Sequence, residues 1–375
     1  MRGGGINNLA LNGLWINYVK YIVRNYEESD KENVAGLIQS VWDENARKRF
    51  NEYYSWYQQH PVVHSLNPAR ALVVDKAGQV VGYTRFIHSV YKVGDRHLDA
   101  YYIVDNATLQ VHRGSGVKLL KHILATQGKL LIGAPLYRAG LLWEKLAKKP
   151  VKVKLVERCV LVLRPSIFLR EKGVPLFVGR LADVIWKVKL KVMSLLLKGS
   201  NQEPQLNIKN TAILPHPDQL NALFEKFSSD FYVIAKRNHD YMRWRFIESP
   251  IEYKYIWLWQ KDTLVGYAVF RIIKIKNRNA VLIVEMIAVG EKKRNYGAII
   301  DRVIAYGMKN GCADIQTLFS GCDEAWQALK HLGTVRRVEQ EELSAFSVPY
   351  IPEIYGDIKW FVSLAESDYE FVMYS

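Results

Sequence analysis

Cysteine is scarce: 3 in 375 residues, at Cys159, Cys312 and Cys322. So few thiols at such spacing build neither a disulfide framework nor a zinc site, and a reducing, cytoplasmic setting is the expectation. Long apolar runs are also missing. No stretch reaches the roughly 18 consecutive apolar residues that a spanning helix needs. Leu9–Val23 is interrupted by Asn12, Asn17 and Lys20, and Met1–Asn12 has one Arg, three Gly and no apolar core of signal-peptide length. Residues 1–19 read as an N-terminal extension, and Leu9–Val23 as a docking segment leading into the first strand.

What is present describes a folded chain. Hydrophobic residues make up 49% and aromatics 12%, with 22 Tyr and 10 Trp, enough large side chains for cores and pockets. The length suits two domains better than one. The net charge of +15 is uneven: between Glu144 and Lys198, 14 Lys and Arg face 4 acidic residues, a local excess of +10. A localised basic field points to an anionic partner such as a membrane surface, a phosphate-rich cofactor or an acidic polymer, or else to a solvated linker.

The chain resembles itself at a spacing of about 180 residues. Trp56…Pro61 answers to Trp244…Pro250, and Val81-Gly82-Tyr83 to Val265-Gly266-Tyr267. The Gly-containing turns at 113–116 and 294–297 precede helices, and Trp143 and Trp326 follow on later helical segments. Each unit reads as strand, two helices, hairpin, strand, helix, strand, helix, strand, a mixed α/β arrangement. In the first unit the pattern predicts a strand Tyr21–Tyr26, a helix Lys31–Trp42 capped by Ser29 or Asp30, and a hairpin turning at Ala77-Gly78. A strand Ala100–Val111, a helix Ser115–Gln127, a short strand Lys129–Ile132, a helix Ala139–Lys148 and a basic strand Val151–Leu163 follow. The expected division is 20–165 for the first domain, 166–205 for a basic linker and 206–375 for the second. Within the linker, Leu176–Lys198 has helical periodicity, with Arg180, Lys187, Lys191 and Lys198 on one stripe and Leu181, Val184, Ile185, Val188 and Val192 on a wide apolar face. Such a helix packs between the domains or lies in a membrane interface. Residues 199–205 read as a flexible connection.

A strand that ends in Arg-x-x-Gly and opens into a helix makes a phosphate cradle. Glycine permits close backbone approach, the first helical amides lack intrahelical partners, and the helix dipole favours an anion. The element here is Val111-His-Arg-Gly-Ser-Gly-Val-Lys118, with Arg113, His112 and Lys118 adding positive charge. In this context it resembles the acetyl-coenzyme A signature of the GNAT (acyl-CoA N-acyltransferase) superfamily, matched by Arg113 and Gly116. The likeness extends to the Val-Gly hairpin strand and the Gly133-Ala-Pro135 turn, and covers roughly residues 20–165 and 206–365.

The resemblance implies two tandem GNAT-like domains, each a central mixed sheet flanked by helices, joined by an amphipathic basic linker helix. It implies acetyl-CoA or another acyl-CoA as co-substrate, held by Leu109, Gln110, Val111, Arg113, Gly114, Ser115, Gly116, Val117 and Lys118. No metal is implied. Strand amides near Leu109–Val111 would take the pantetheine arm. The carboxylates placed for proton abstraction are Glu285 on the second unit's strand and Asp105 on the first, with Ala107 counted as the first unit's equivalent of Glu285. Trp143 and Trp326 stand where many members keep an acidic Tyr. Indole cannot act as an acid at neutral pH, so the thiolate proton would come from elsewhere, with Tyr137 one candidate. Trp56, Pro61, Trp244 and Pro250 read as residues that pack the second helix against the sheet or shape an acceptor pocket.

The activity expected is acyl transfer, most simply N-acetyl transfer, to an amine or hydroxyl on a small-molecule, sugar or cell-envelope acceptor. The location expected is cytoplasmic, extending to the inner face of a membrane through 176–198. Two rivals stand beside it. A Fem-type aminoacyltransferase would use aminoacyl-tRNA. A non-catalytic binding protein of the same fold would explain Lys118 and Ile299, where small residues are expected. Nucleic-acid binding as the main role has no motif behind it, and the oligomeric state is left open.

Overall fold

The computed structural model describes residues 21–58, 71–112, 114–126, 130–133, 145, 151–198, 206–333, 335–347, 354 and 358–366. The first half gives strands β1 (Ile22–Asn25), β2 (Ala71–Lys76), β3 (Gln79–Val93), β4 (Arg96–Thr108), β5 (Leu130–Gly133) and β6 (Val151–Val162). The second gives β7 (Leu206–Lys209), β8 (Val233–Ala235), β9 (Lys254–Gln260), β10 (Thr263–Ile275), β11 (Arg278–Ala288), β12 (Asp314–Ser320), β13 (Val335–Ser347) and β14 (Trp360–Ser363).

Local chemistry sets these elements. β2 and β3 form a hairpin because Ala77 and Gly78 both take positive φ, 52° and 85°, which matches the turn to the strand twist. The Asp75 carboxylate accepts the Gly78 amide at 2.8 Å. Period-2 alternation then divides the sheet faces. Val73 and Tyr83 pack with Val34, Ile38 and Phe50 under the helices Lys31–Val41 and Glu44–Gln58. Leu72 and Val74 pack on the other face with Leu119, Leu120 and Ile123 of the Ser115–Thr126 helix, joined by Val81, which a bulge in the β2–β3 ladder moves out of phase with Tyr83. Asp30 does stand at the N-cap, but its carboxylate does not cap the Lys31–Val41 helix. It accepts the Glu27 amide at 2.9 Å and a two-pronged bond from Arg24 at 2.7 and 2.8 Å.

Each half supplies a mixed sheet flanked by helices, and the two join edge to edge into one sheet of 14 strands. Its path, β1-β2-β3-β4-β5-β13-β6-β12-β11-β10-β9-β7, reads the same from both ends once β1–β6 are matched to β7 and β9–β13. β4 and β5 are parallel, as are β11 and β12. The last strand of each half is exchanged: β13 pairs with β5 and β6 pairs with β12, with β6 and β13 antiparallel at the centre. β8 and β14 lie outside this symmetry. β14 pairs with β12 and β8, and β8 pairs with the far end of β3. The ladders therefore form a closed circuit through β3, β4, β5, β13, β6, β12, β14, β8 and back to β3. One large core spans both halves, from Trp56 and Tyr102 to Trp244 and Ile283.

Candidate functional site

Among the described residues the first half has an open seam. β4 pairs with β5 only at Ala100↔Leu130, Tyr101↔Leu131 and Tyr102↔Ile132. Beyond Tyr102, β4 continues to Thr108 against β3 alone. One edge of Ile103–Thr108 therefore has no ladder partner among the described residues, a place where an extended chain can add main-chain hydrogen bonds.

The Gly turn sits at the end of that edge. Gly114 has φ +91°, a conformation that disfavours any side chain. Ser115, the first residue of the Ser115–Thr126 helix, is buried, and its hydroxyl has no partner among the described residues. A buried orphan hydroxyl at a helix start suits an anionic oxygen, although the Ser115 amide itself donates to the His112 carbonyl at 3.1 Å. At Gly116 the nearest groups an added Cβ would meet are Thr108 atoms at 3.4 Å and beyond, so the backbone here is approachable. Gln110, Val111 and Lys118 are exposed, and Val117 is half-buried. Lys118 Nζ donates to the Tyr21 carbonyl. Arg113, Tyr137, Trp143 and Pro61 lie outside the described residues, as do 1–19, 199–205 and most of the expected 139–148 helix.

Two expectations change at this turn. His112 does not supply the charge expected of it: desolvation and the neighbouring Lys76 ammonium, 3.4 Å from Nδ1, lower its pKa, so the ring is neutral at pH 7. Lys76 itself is the cation the sequence pattern passed over. Leu109 cannot offer its amide to a ligand, because that amide donates to the Val81 carbonyl at 3.0 Å. The free edge lies upstream of it.

Register corrects the pairing of the two carboxylates. Gly82 opposes Thr108, and Gly266 opposes Ala288. Counting three residues back from each partner gives Asp105 and Glu285, so Asp105, not Ala107, is the counterpart of Glu285. A bulge interrupts the ladder near both positions, and Asp105 takes φ 49° there; such bulges re-aim side chains. Around each carboxylate stand an Arg and the Tyr that follows the repeated Val-Gly. Arg85 is ion-paired with Asp105 at 2.9 Å and donates to the Tyr83 hydroxyl at 3.1 Å. Arg237 is ion-paired with Glu285, and the Tyr267 hydroxyl donates to the same Glu285 oxygen at 2.9 Å.

The two copies differ in access. The Asp105 side chain is 25% exposed, whereas the Glu285 and Arg237 side chains are sealed at 0%. Arg237 also donates to the Ala235 carbonyl at 2.6 Å and to Ser363 Oγ at 3.2 Å. Burial, then the Glu285 charge, raises the Tyr267 pKa well above the usual phenol value. Tyr83 and Tyr267 were visible as part of the repeat. Arg237 was not, because nothing in its local sequence marks it as a carboxylate partner 48 residues away.

In the second half the seam is filled. β11 and β12 pair only from Ala280↔Asp314 to Ile283↔Thr317. Where β12 leaves β11, β14 takes its place, with Phe319 opposite Ser363 and Ser320 opposite Val362. Gly321, φ +88°, admits this contact: a Cβ there would stand 1.7 Å from the Trp360 carbonyl oxygen. The Ala365 carbonyl accepts from Tyr241 and Arg245, both at 2.9 Å, which latches the segment. The second Gly turn is likewise committed. Lys292 pairs with Asp230, Arg294 with Glu291 at 3.1 Å, and Asn295 donates to the Val289 carbonyl at 2.7 Å. Ile299 is fully buried, and an added Cβ at Gly266 would stand 3.2 Å from its Cδ1. Trp326 packs, half-buried, against the core.

Solved structures share this architecture. The chain is similar to a GCN5-related N-acetyltransferase from Anabaena variabilis, with 10% identity, 88% of this chain and 73% of that chain covered, and a TM-score of 0.61. The chain has the GNAT fold. A GCN5-related N-acetyltransferase from Kribbella flavida matches with 11% identity over 87% of this chain and 70% of that one, TM-score 0.55. The N-myristoyltransferase of Saccharomyces cerevisiae, solved with bound myristoyl-CoA, matches with 14% identity over 87% and 82%, TM-score 0.54. No family model and no curated protein sequence matches the chain. Identities at this level speak for the GNAT fold and leave the chemistry to the site.

Proposed function

We propose that the first half of the chain binds an acyl-coenzyme A and transfers its acyl group to an amine or hydroxyl. The observation that carries this reading is the contrast between the copies among the described residues: an open gap beside β4, ending at an orphan Ser115 hydroxyl, in one, and a gap occupied by β14 along β12 in the other. The neighbour solved with myristoyl-CoA supports acyl-CoA as the class of co-substrate.

In this reading the Ile103–Thr108 edge takes the extended arm through main-chain hydrogen bonds. Ser115, the first helical amides, Lys76 and Lys118 face the phosphates. An acyl-CoA supplies a thioester carbonyl; the acceptor forms the new bond to that carbon as the C–S bond breaks and the coenzyme leaves as thiolate. Asp105, held by Arg85, accepts the acceptor's proton. Most of the acceleration comes from positioning. Glu285 has no such access and is assigned to holding Arg237 and Tyr267.

Titration calorimetry of the full chain with acetyl-CoA and longer acyl-CoAs tests this. Wild type binds at least one of them, and Gly116→Trp weakens that binding by at least about tenfold because the indole fills the turn. Asp105→Asn leaves affinity within about twofold and lowers thiol release roughly a hundredfold. Absence of binding by every acyl-CoA, or binding indifferent to Gly116→Trp, removes the assignment.

A further inference from the structure

The helix Leu176–Lys198 turns a wide apolar face away from the protein. Phe177, Leu181, Val184, Ile185, Val188 and Val192 are between 49% and 75% exposed. At helical spacing they span about 100° of arc. The opposite face is fixed. The Trp186 indole donates to the Val162 carbonyl at 2.7 Å, Leu190 is 2% exposed, and Gly179 lies against Ser166. The helix's one acidic residue, Asp183, is also turned inward, accepting the Ser166 amide at 2.8 Å and the Ser166 hydroxyl at 2.6 Å. The outward face is therefore defined by its anchoring, and it is neither a frayed end nor an interdomain seam. Its apolar patch is of the kind that marks an interaction site.

Charge says what covers it. Arg180, Lys187 and Lys191 form an exposed row along one flank of the apolar arc and make no ion pair among the described residues. We propose that this face lies in the interface of an anionic lipid bilayer, with the helix in the membrane plane. The apolar arc enters the acyl boundary and the basic row meets lipid phosphates. No helix among the described residues is long and apolar enough to cross a membrane, so the contact is peripheral. A second copy docked antiparallel across this face would bring two like-charged rows together, which disfavours that dimer.

The test uses the full chain with vesicles of phosphatidylcholine alone and of phosphatidylcholine with phosphatidylglycerol, about three to one. A fluorophore is placed at Val188→Cys. Cys159, Cys312 and Cys322 are buried, so labelling is selective. The expected result is co-sedimentation with the anionic vesicles only, with a blue-shifted label. Raising salt from low to molar concentration weakens binding roughly tenfold or more. Lys187→Glu/Lys191→Glu and Ile185→Ser/Val192→Ser each weaken it at least about fivefold, with unchanged melting temperature because all four side chains are exposed. No sedimentation with anionic vesicles, retention by both variants, or a label already shielded in a dimer in lipid-free solution would overturn the proposal.

Discussion

Trp56 and Trp244 are bound to each other reciprocally. Their rings stack with centroids 4.8 Å apart at 11°. The Trp56 indole donates to the Trp244 carbonyl at 2.8 Å, and the Trp244 indole donates to the Trp56 carbonyl at 3.1 Å. The same relation read in both directions is what a local two-fold axis produces, and it joins the two members of the sequence repeat. Both residues are buried, in keeping with a packing role.

Replacing either indole by a ring without a donor isolates the partner's carbonyl. Trp244→Phe is expected to destabilise the chain by about 1–3 kcal/mol, from a buried acceptor left unsatisfied and a smaller ring. Trp56→Phe does the same, and the double variant costs less than the sum, since each deletion already breaks the shared contact. Urea unfolding of the three variants measures this. Additive losses would mean that the two indoles act independently.

The Arg237–Glu285 pair is sealed from water, so cutting one partner exposes the chain to an uncompensated buried charge. Glu285→Gln is expected to cost about 3–5 kcal/mol. Replacing both partners by apolar residues of similar volume recovers much of that loss, because neither charge then needs solvation. Chemical denaturation distinguishes the two outcomes. A neutral Glu285→Gln variant would show that the pair carries no structural load.

Gly321 is the hinge point of the filled seam. Gly321→Ala places a methyl group on the Trp360 carbonyl and forces a positive φ on a side-chain-bearing residue, at a cost above ~2 kcal/mol. The loss is local. Amide exchange of Trp360–Ser363 is expected to accelerate, while β3 and β4 keep their protection. Uniform acceleration across the sheet would place the defect elsewhere.

Asp30 gives the chain an acid-sensitive contact. The Arg24 hydrogen bonds, with the Glu27 amide adding to them against partial burial, hold its carboxyl below the ordinary carboxylate range. A carboxylate whose folded pKa is depressed stabilises the fold fully above its unfolded value, about 3.9, and loses that contribution as pH falls through the folded value. Stability measured from pH 5 downward should therefore fall less steeply in Asp30→Asn than in wild type. Parallel curves would remove the linkage.

The repeat carried most of the fold into view from sequence. The paired Val-Gly-Tyr strands, the two Gly turns and the two Trp motifs are short-range patterns, and the strands and helices follow from them. Helical periodicity also gives the wide apolar face of Leu176–Lys198, but periodicity cannot say which part of it meets the body. Trp186, Leu190 and Met193 do so, and the exposed arc does not. What stayed hidden was long-range. The pairing of Arg237 with Glu285 joins residues with no shared local pattern, and the position of β14 depends on where β12 departs from β11. The equivalence of Glu285 with Asp105 in place of Ala107 is likewise set by ladder register, which no local pattern carries.

The exchange of β6 and β13 bears on how such a chain persists. Neither half closes its own sheet: without β13 the β5 edge stands bare, and without β6 the β12 edge does. Bare edges invite aggregation, so each half depends on the other for the strand that covers it, and neither can be cut away without exposing a ladder on what remains.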